Sequence, residues 1–409
     1  MAAPSPDLTQ RLRTLPGIEA LLDASDGLAP LYVVGGAVRD LLRGVDPVDL
    51  DLAVEGDAPE TAAQLAERLG GEVVVHDRFG TALLRSPSVS ADLATTRTER
   101  YERPGALPQV RPAGLEEDLA RRDFTVNAMA VGLSGAHLGH LHDPHGGRRD
   151  LRAGAIRVLH DASFVDDPTR LLRAVRYESR LGAVLEPDSE RLARHAAASG
   201  APATVSGPRI RDELLDLLAE PGALESVARL GELGIARGLH PSLRADPDLV
   251  AAAVLACAET GARPALAALA AMCSPTPGEL EDFVDRLGLR SSDRAAVRRA
   301  AARGPALADA LHGELRPSEL HGLLAPEPPE ALAIALALGA PGEPVLRYLS
   351  DLRGAGLEIT GEDLLSAGVP RSPAIGPALA ETLRRKLDGE LSGRDAELRI
   401  AVELAGGPA

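Results

Sequence analysis

Aromatic side chains are scarce: four tyrosines, four phenylalanines and no tryptophan in 409 residues. Any stacking on nucleic-acid bases then falls to arginine planes rather than to rings. Lysine is scarcer still. Lys386 stands alone, so nearly all positive charge is guanidinium, the planar two-pronged partner of phosphates and base edges. The two cysteines, Cys257 and Cys273, exclude a disulfide framework and, by themselves, a zinc site. No apolar run approaches the roughly 20 residues of a membrane helix. The opening MAAPSPDLTQRLR lacks the apolar stretch of a secretory signal, and no G-x-x-x-x-G-K-[ST] phosphate loop occurs. These absences point to a soluble, cytoplasmic, multidomain protein.

Apolar residues make up 45% of the chain, enough for real cores over a length of two to four domains. The net charge is −16, from 60 acids against 44 bases, which on average disfavours a nucleic-acid partner. The average conceals a local reversal, since from Arg97 to Arg180 there are fourteen arginines and twelve acids. Strand and helix signals alternate through the first 160 residues. LYVVGG (31–36) reads as a buried strand entering a glycine turn, and AVRDLLRG as a short helix closed by Gly44. VDLDLAV (48–54) alternates as a strand does, and APETAAQLAERLGG has helical spacing. GEVVVHDRFGTALLRS and SVSADLATTR add strands. RPGALPQVRPAG (103–114), with three prolines and no periodicity, reads as a mobile loop. EEDLARRDFTVNAMAVGL reads as helix into strand.

Beyond residue 160 the strand signals vanish. DDPTRLLRAVRYESRLG and SGPRIRDELLDLLAEPGALESVARLGELG are helical, and the alanine- and leucine-rich remainder is a helical array broken by Pro/Gly turns. The expected fold is α+β, with a mixed-sheet head (1–160), a helical neck (161–240) and a helical body and tail (241–409).

Four clusters carry chemistry. Gly35-Gly36 before a helix lets a phosphate approach backbone N–H groups at the positive helix end, and Arg39 can add a fork to it. Asp49 and Asp51, alternate residues of a predicted strand, face one way and repel unless solvated or bridged by a cation such as Mg²⁺. A glycine phosphate turn followed about ten residues later by paired carboxylates suggests metal-assisted phosphoryl or nucleotidyl transfer. Arg121-Arg122-Asp123 is either an ion-pair cluster or an anion site. In DDPTR, Asp167 is placed as helix cap and Pro168 as first helical residue. Arg170, Arg173 and Arg176 then share a broad face and want an anion. The pairs His142-Asp143 and His160-Asp161 invite a metal-phosphohydrolase reading, but no second His/Asp set follows, which leaves capping or surface roles.

GGAVRD, DLD, ATTRTERY, RRDFTVNAMA and DDPTRLLRAVRY, in that order, resemble the class II tRNA nucleotidyltransferase and poly(A) polymerase family. The resemblance runs from Leu31 to the PRIRDELLDLL helix and returns weakly in ITGEDLLSAGVPRSPAIGPAL (359–379). It implies a polymerase-β-like head, with neck, body and tail holding the tRNA acceptor stem, and addition of CMP and AMP from CTP and ATP to the tRNA 3′ end. It also implies that Asp49 and Asp51 hold catalytic magnesium. Nucleotide binding falls to Gly36, Arg39, Arg122, Asp167, Arg170, Arg173 and Arg176, with Asp92 as a further acid of the site. Cytosine and adenine share an amino donor beside a bare ring nitrogen, which a carboxylate (Asp167) and a guanidinium (Arg170) admit together. Many CCA-adding relatives carry Glu-Asp-x-x-Arg where this chain has Asp166-Asp167-Pro168-Thr169-Arg170. That departure resembles bacterial members that in some species add only the final A. Full CCA addition, A-only addition and poly(A) synthesis stay open, as does a non-catalytic RNA-binding scaffold.

Overall fold

Residues 8–47, 49–76 and 80–406 are described in a computed structural model of the chain. Two short helices, α1 (Thr9–Leu12) and α2 (Ile18–Ala24), lead into β1 (Leu31–Val34), all four of whose residues are buried. Burial on both faces follows from position. Leu31 and Val33 join a core with Leu52, Val54, Leu65, Leu84 and Leu93, while Tyr32 and Val34 join a second cluster with Ala53, Leu115 and Leu119. The chain continues through α3 (Gly36–Arg43), β2 (Asp51–Val54), α4 (Ala58–Leu69), β3 (Glu72–His76), β4 (Thr81–Arg85) and β5 (Ser90–Thr95). The hairpin β6 (Arg97–Arg100) and β7 (Gln109–Pro112) follows, then α5 (Leu115–Ala120), β8 (Ala130–Gly132), β9 (Leu141–His142) and α6 (Gly147–Ala153). The strands assemble in the order β3-β4-β5-β2-β1-β8-β9. The sheet is mixed, as expected, because β2 runs parallel to β5 while the other neighbours are antiparallel.

Three sequence readings shift. The strand read as 48–54 begins at Asp51, where pairing with Asp92 of β5 starts; Asp49 lies in the bend before it, and Val48 lies outside the described residues. Within 103–114, residues Gln109–Pro112 form β7, because Thr98, Glu99 and Arg100 of β6 supply a ladder that periodicity alone does not reveal. Strand does recur past 160, as the two-residue parallel pairing of β10 (Ala155–Ile156) with β11 (Val184–Leu185).

The rest of this compact unit, which ends at Pro241, is helical: α7 (Ser163–Asp166), α8 (Thr169–Leu181), α9 (Pro187–Ala198) and α10 (Gly207–Ala219), followed by two shorter helices. Residues 161–240, read from sequence as a neck, thus fall in the same unit as the sheet. The second unit, 242–409, is all helix among its described residues. Small side chains let its helices approach closely: a Cβ on Gly304, in Ser291–Ala310, would stand 2.3 Å from Cγ2 of Ile334 in Pro329–Ala337. No described helix is long and apolar enough to cross a membrane.

Candidate active site

The site starts where β1 ends. Gly35 has φ +67° and ψ −131°, and a Cβ there would meet Nη1 of Arg122 at 3.0 Å. The positive φ calls for glycine, and a side chain there would also push the Arg122 guanidinium aside by a few tenths of an ångström. Gly35, Gly36 and Ala37, the start of α3, line a cavity of about 570 Å³ in the first unit. Their position gives the cavity the positive end of a helix dipole. Arg39 also lines it but is almost wholly buried. Its Nη1 donates to Asn127 at 2.8 Å, its Nε and Nη2 donate to Asp40, and its guanidinium lies 5.4 Å from the Tyr177 ring.

Asp49 and Asp51 both line this cavity. Asp92 is the cross-strand neighbour of Asp51, and the two share a smaller adjoining recess with Asp118 and Arg122. Enclosure by the surrounding protein raises the Asp51 carboxyl above its ordinary range; Arg122 opposes this, and the like charges of Asp92 and Asp49 add to it. A cation would relieve that repulsion. Among the described residues no group of three or more His, Cys, Asp and Glu side chains converges as a ready-made metal site. Two carboxylates are nevertheless what Mg²⁺ takes when water and phosphate oxygens fill its other positions, so the donor set fits that ion.

The remaining wall is basic and braced. Asp118, buried on α5, accepts from Nη2 of Arg121 at 2.8 Å and from Nη2 of Arg122 at 2.9 Å. Burial would raise its carboxyl, yet Arg122 and Arg121 hold it below the usual range. Nε of Arg122 is buried without a hydrogen-bond partner among the described residues.

Just before α8 the structure brings in Asp167, and from α8 Arg170 and Arg173 but not Arg176. Asp167 is extended, precedes Pro168 in helical geometry and accepts from the Thr169 amide and hydroxyl, close to the cap role read from sequence. Arg170 is buried, donating to Ser163 Oγ at 2.6 Å and to the Arg121 carbonyl at 2.8 Å. The expectation that the α8 arginines await an external anion is corrected. Arg173 is bound by Asp123 at 2.7 Å and Glu213 at 3.0 Å, and Arg176 by Asp216 at 2.6 Å. Glu213 and Asp216, three apart on α10, supply the anions from within the protein.

Sequence reasoning missed Arg209, whose Nη2 lies 2.8 Å from each carboxylate oxygen of Asp167. It also missed Asp118, although its spacing of three and four residues before Arg121 and Arg122 is an ion-pair signal. Tyr177, carrying Arg39 and Arg173 against its ring, was likewise not singled out. The His-Asp pairs do not form a metal site. Asp143 accepts from the first two amides of α6, and His160 lies 4.0 Å from Asp166.

A glycine turn, paired acids and braced arginines around one cavity on a mixed sheet define a nucleotidyltransferase class of site. Residues 31–157 match the family model described as Poly A polymerase head domain. The chain is 36% identical over 399 residues to the A-adding tRNA nucleotidyltransferase of Geobacter sulfurreducens, covering 92% of this chain and 45% of that one. It is 35% identical over 369 residues to the CC-adding tRNA nucleotidyltransferase of Deinococcus radiodurans, covering 90% and 87%. The solved structure of a CCA-adding enzyme in apo form II superposes with a TM-score of 0.84 at 33% identity, covering 98% of this chain and 100% of that chain. This chain therefore belongs to the tRNA nucleotidyltransferase family. It spans less than half the length of the Geobacter relative.

Proposed function

We propose that the protein is a template-independent tRNA nucleotidyltransferase that adds CMP and AMP from CTP and ATP to the tRNA 3′ end and releases pyrophosphate. The observation that carries this reading is that Asp49 and Asp51 share one cavity with Arg122, Asp167, Arg170 and Arg173. In the proposed roles the Gly35-Gly36 turn and Arg122 hold the triphosphate. Arg39, whose donors already serve Asp40 and Asn127, backs the turn rather than standing free for phosphate. Asp49 and Asp51 hold Mg²⁺, which when bound acidifies the tRNA hydroxyl and neutralises the leaving pyrophosphate. Asp167 accepts from the amino group of cytosine or adenine and Arg170 donates to the ring nitrogen, so uracil and guanine leave buried groups unpaired. The glycine turn and Arg122 orient the triphosphate for in-line attack.

A second reading, addition of the terminal A alone, draws support from the A-adding relative matched over 92% of this chain and from the Asp-Asp form of the base-reading motif. Incubating tRNAs ending before CCA, after CC and after C with labelled CTP and ATP separates the two. Incorporation of both nucleotides on the unextended tRNA supports the first. Incorporation of A only, on the CC-ended form only, overturns it in favour of the second.

A further inference from the structure

The helix that opens the catalytic cavity has another site at its far end. A helix of eight residues is about 12 Å long, and at the C-terminus of α3 lies a separate concavity of about 500 Å³. Four arginines line it, Arg11 from α1, Arg43 from α3, and Arg148 and Arg152 one turn apart on α6, together with Leu8, Leu42 and Leu151. No carboxylate lines it among the described residues. Arg11 donates Nη1 to the Leu41 carbonyl, and Arg43 has Asp40 at 3.6 Å. The guanidiniums of Arg148 and Arg152 have no ion pair or side-chain hydrogen bond among the described residues.

Acids outnumber bases 60 to 44, and around the larger cavity Arg121, Arg122 and Arg173 rest on carboxylates of the protein. Like charges one helical turn apart repel, and two more face the same hollow. A pocket lined by four arginines, with no carboxylate in its lining among the described residues and with the Arg148 and Arg152 guanidiniums lacking an internal partner there, is suited to an anion from outside. Guanidinium forks match phosphate oxygens two at a time. The leucines offer an apolar surface beside them, and the volume suits a small molecule rather than the broad track a nucleic-acid duplex needs.

We propose that this pocket is an accessory site for a phosphate-bearing small ligand of nucleotide size, distinct from the catalytic cavity. Equilibrium dialysis with labelled ATP, and in parallel with inorganic tripolyphosphate, tests it on the full chain. Wild type should bind two ATP per chain. Arg148→Ala/Arg152→Ala should bind one and keep its nucleotide incorporation, whereas Arg122→Ala should weaken the other site. Arg148→Lys/Arg152→Lys, which keeps charge but loses the planar fork, should weaken the accessory site without abolishing it. A wild type whose single site survives Arg148→Ala/Arg152→Ala, or two undiminished sites in that variant, overturns the proposal. So does loss of RNA-duplex binding in that variant with both small-ligand sites intact. Should the alanine variant fail to fold by circular dichroism, the wild-type count and the lysine variant still decide. A wild type that binds tripolyphosphate, loses that site in Arg148→Ala/Arg152→Ala and incorporates no nucleotide would sustain this proposal while sinking the catalytic one.

Discussion

Asp51 and Asp118 carry the same side chain and are pushed in opposite directions. The folded chain holds a proton on Asp51 more tightly than the unfolded chain does, so its ionisation destabilises the fold as pH rises above the ordinary carboxylate range. Asp49→Asn/Asp51→Asn should therefore melt higher than wild type at pH 7, with the gain shrinking as acid protonates Asp51. Mg²⁺ should raise the melting temperature of wild type and not of the variant, and incorporation should fall by about 10³-fold or more. Differential scanning fluorimetry with and without the ion, beside the incorporation assay, checks all three. A variant stabilised by Mg²⁺ as much as wild type would remove these acids from the metal site.

Asp118 reverses the sign. Its lowered carboxyl contributes stability that is present above the unfolded value near 4 and is lost as pH falls toward the folded one. Asp118→Asn leaves Arg121 and Arg122 without their shared anion, and should destabilise by about 3 kcal/mol at pH 7. Urea melts at pH 7 and near pH 3 read the difference, which should narrow at the lower pH. An equal loss at both would mean that Asp118 acts by packing rather than by charge.

At the scale of elements the informative pair is α8 and α10. Arg173 and Arg176 on one helix meet Glu213 and Asp216 on the other, so most of the basic face is neutralised before any ligand arrives. Arg176 stands outside the cavity and Arg209 reaches into it to hold Asp167. Arg176→Ala should lower stability by about 1–3 kcal/mol and leave the KM for ATP unchanged. Arg209→Ala should depress kcat/KM by about 10-fold or more and relax the rejection of UTP and GTP, with partial rescue by Arg209→Lys. Steady-state kinetics on both variants, with all four nucleotides, decides between them; nucleotide KM rising in Arg176→Ala would return that residue to the site. The same elements mark what was legible in the residues alone. Helices α3, α4 and α8 are written in local spacing and caps, and α3 and α8 meet at the cavity. The paired acids do not keep the alternation that their sequence suggests, since Asp49 lies in the bend before β2, yet both reach the cavity. The partners of the α8 arginines could not, since Glu213 and Asp216 lie 40 residues on and only packing brings them back. Likewise β7 is a strand because β6 lies beside it, not because of its own proline-flanked sequence.

For the whole molecule the governing quantity is a charge of −16 on a chain proposed to bind a polyanion. Averaged over the surface, that charge repels tRNA, so attraction has to come from local groups of arginines that survive internal pairing. Each phosphate so neutralised releases a condensed counterion, and each release steepens the salt dependence. With three to five such contacts, raising NaCl from 50 to 200 mM should weaken tRNA binding by about 30- to 500-fold. ATP, proposed to sit in the cavity at the glycine turn against fewer charges, should weaken far less. Fluorescence anisotropy of labelled tRNA against a salt series, beside dialysis of ATP in the same buffers, measures both slopes. A shallow tRNA slope would mean that the acceptor end is held by shape and neutral hydrogen bonds. The excess acid would then act as a brake on non-specific RNA, letting the protein reject strands that lack the correct 3′ end.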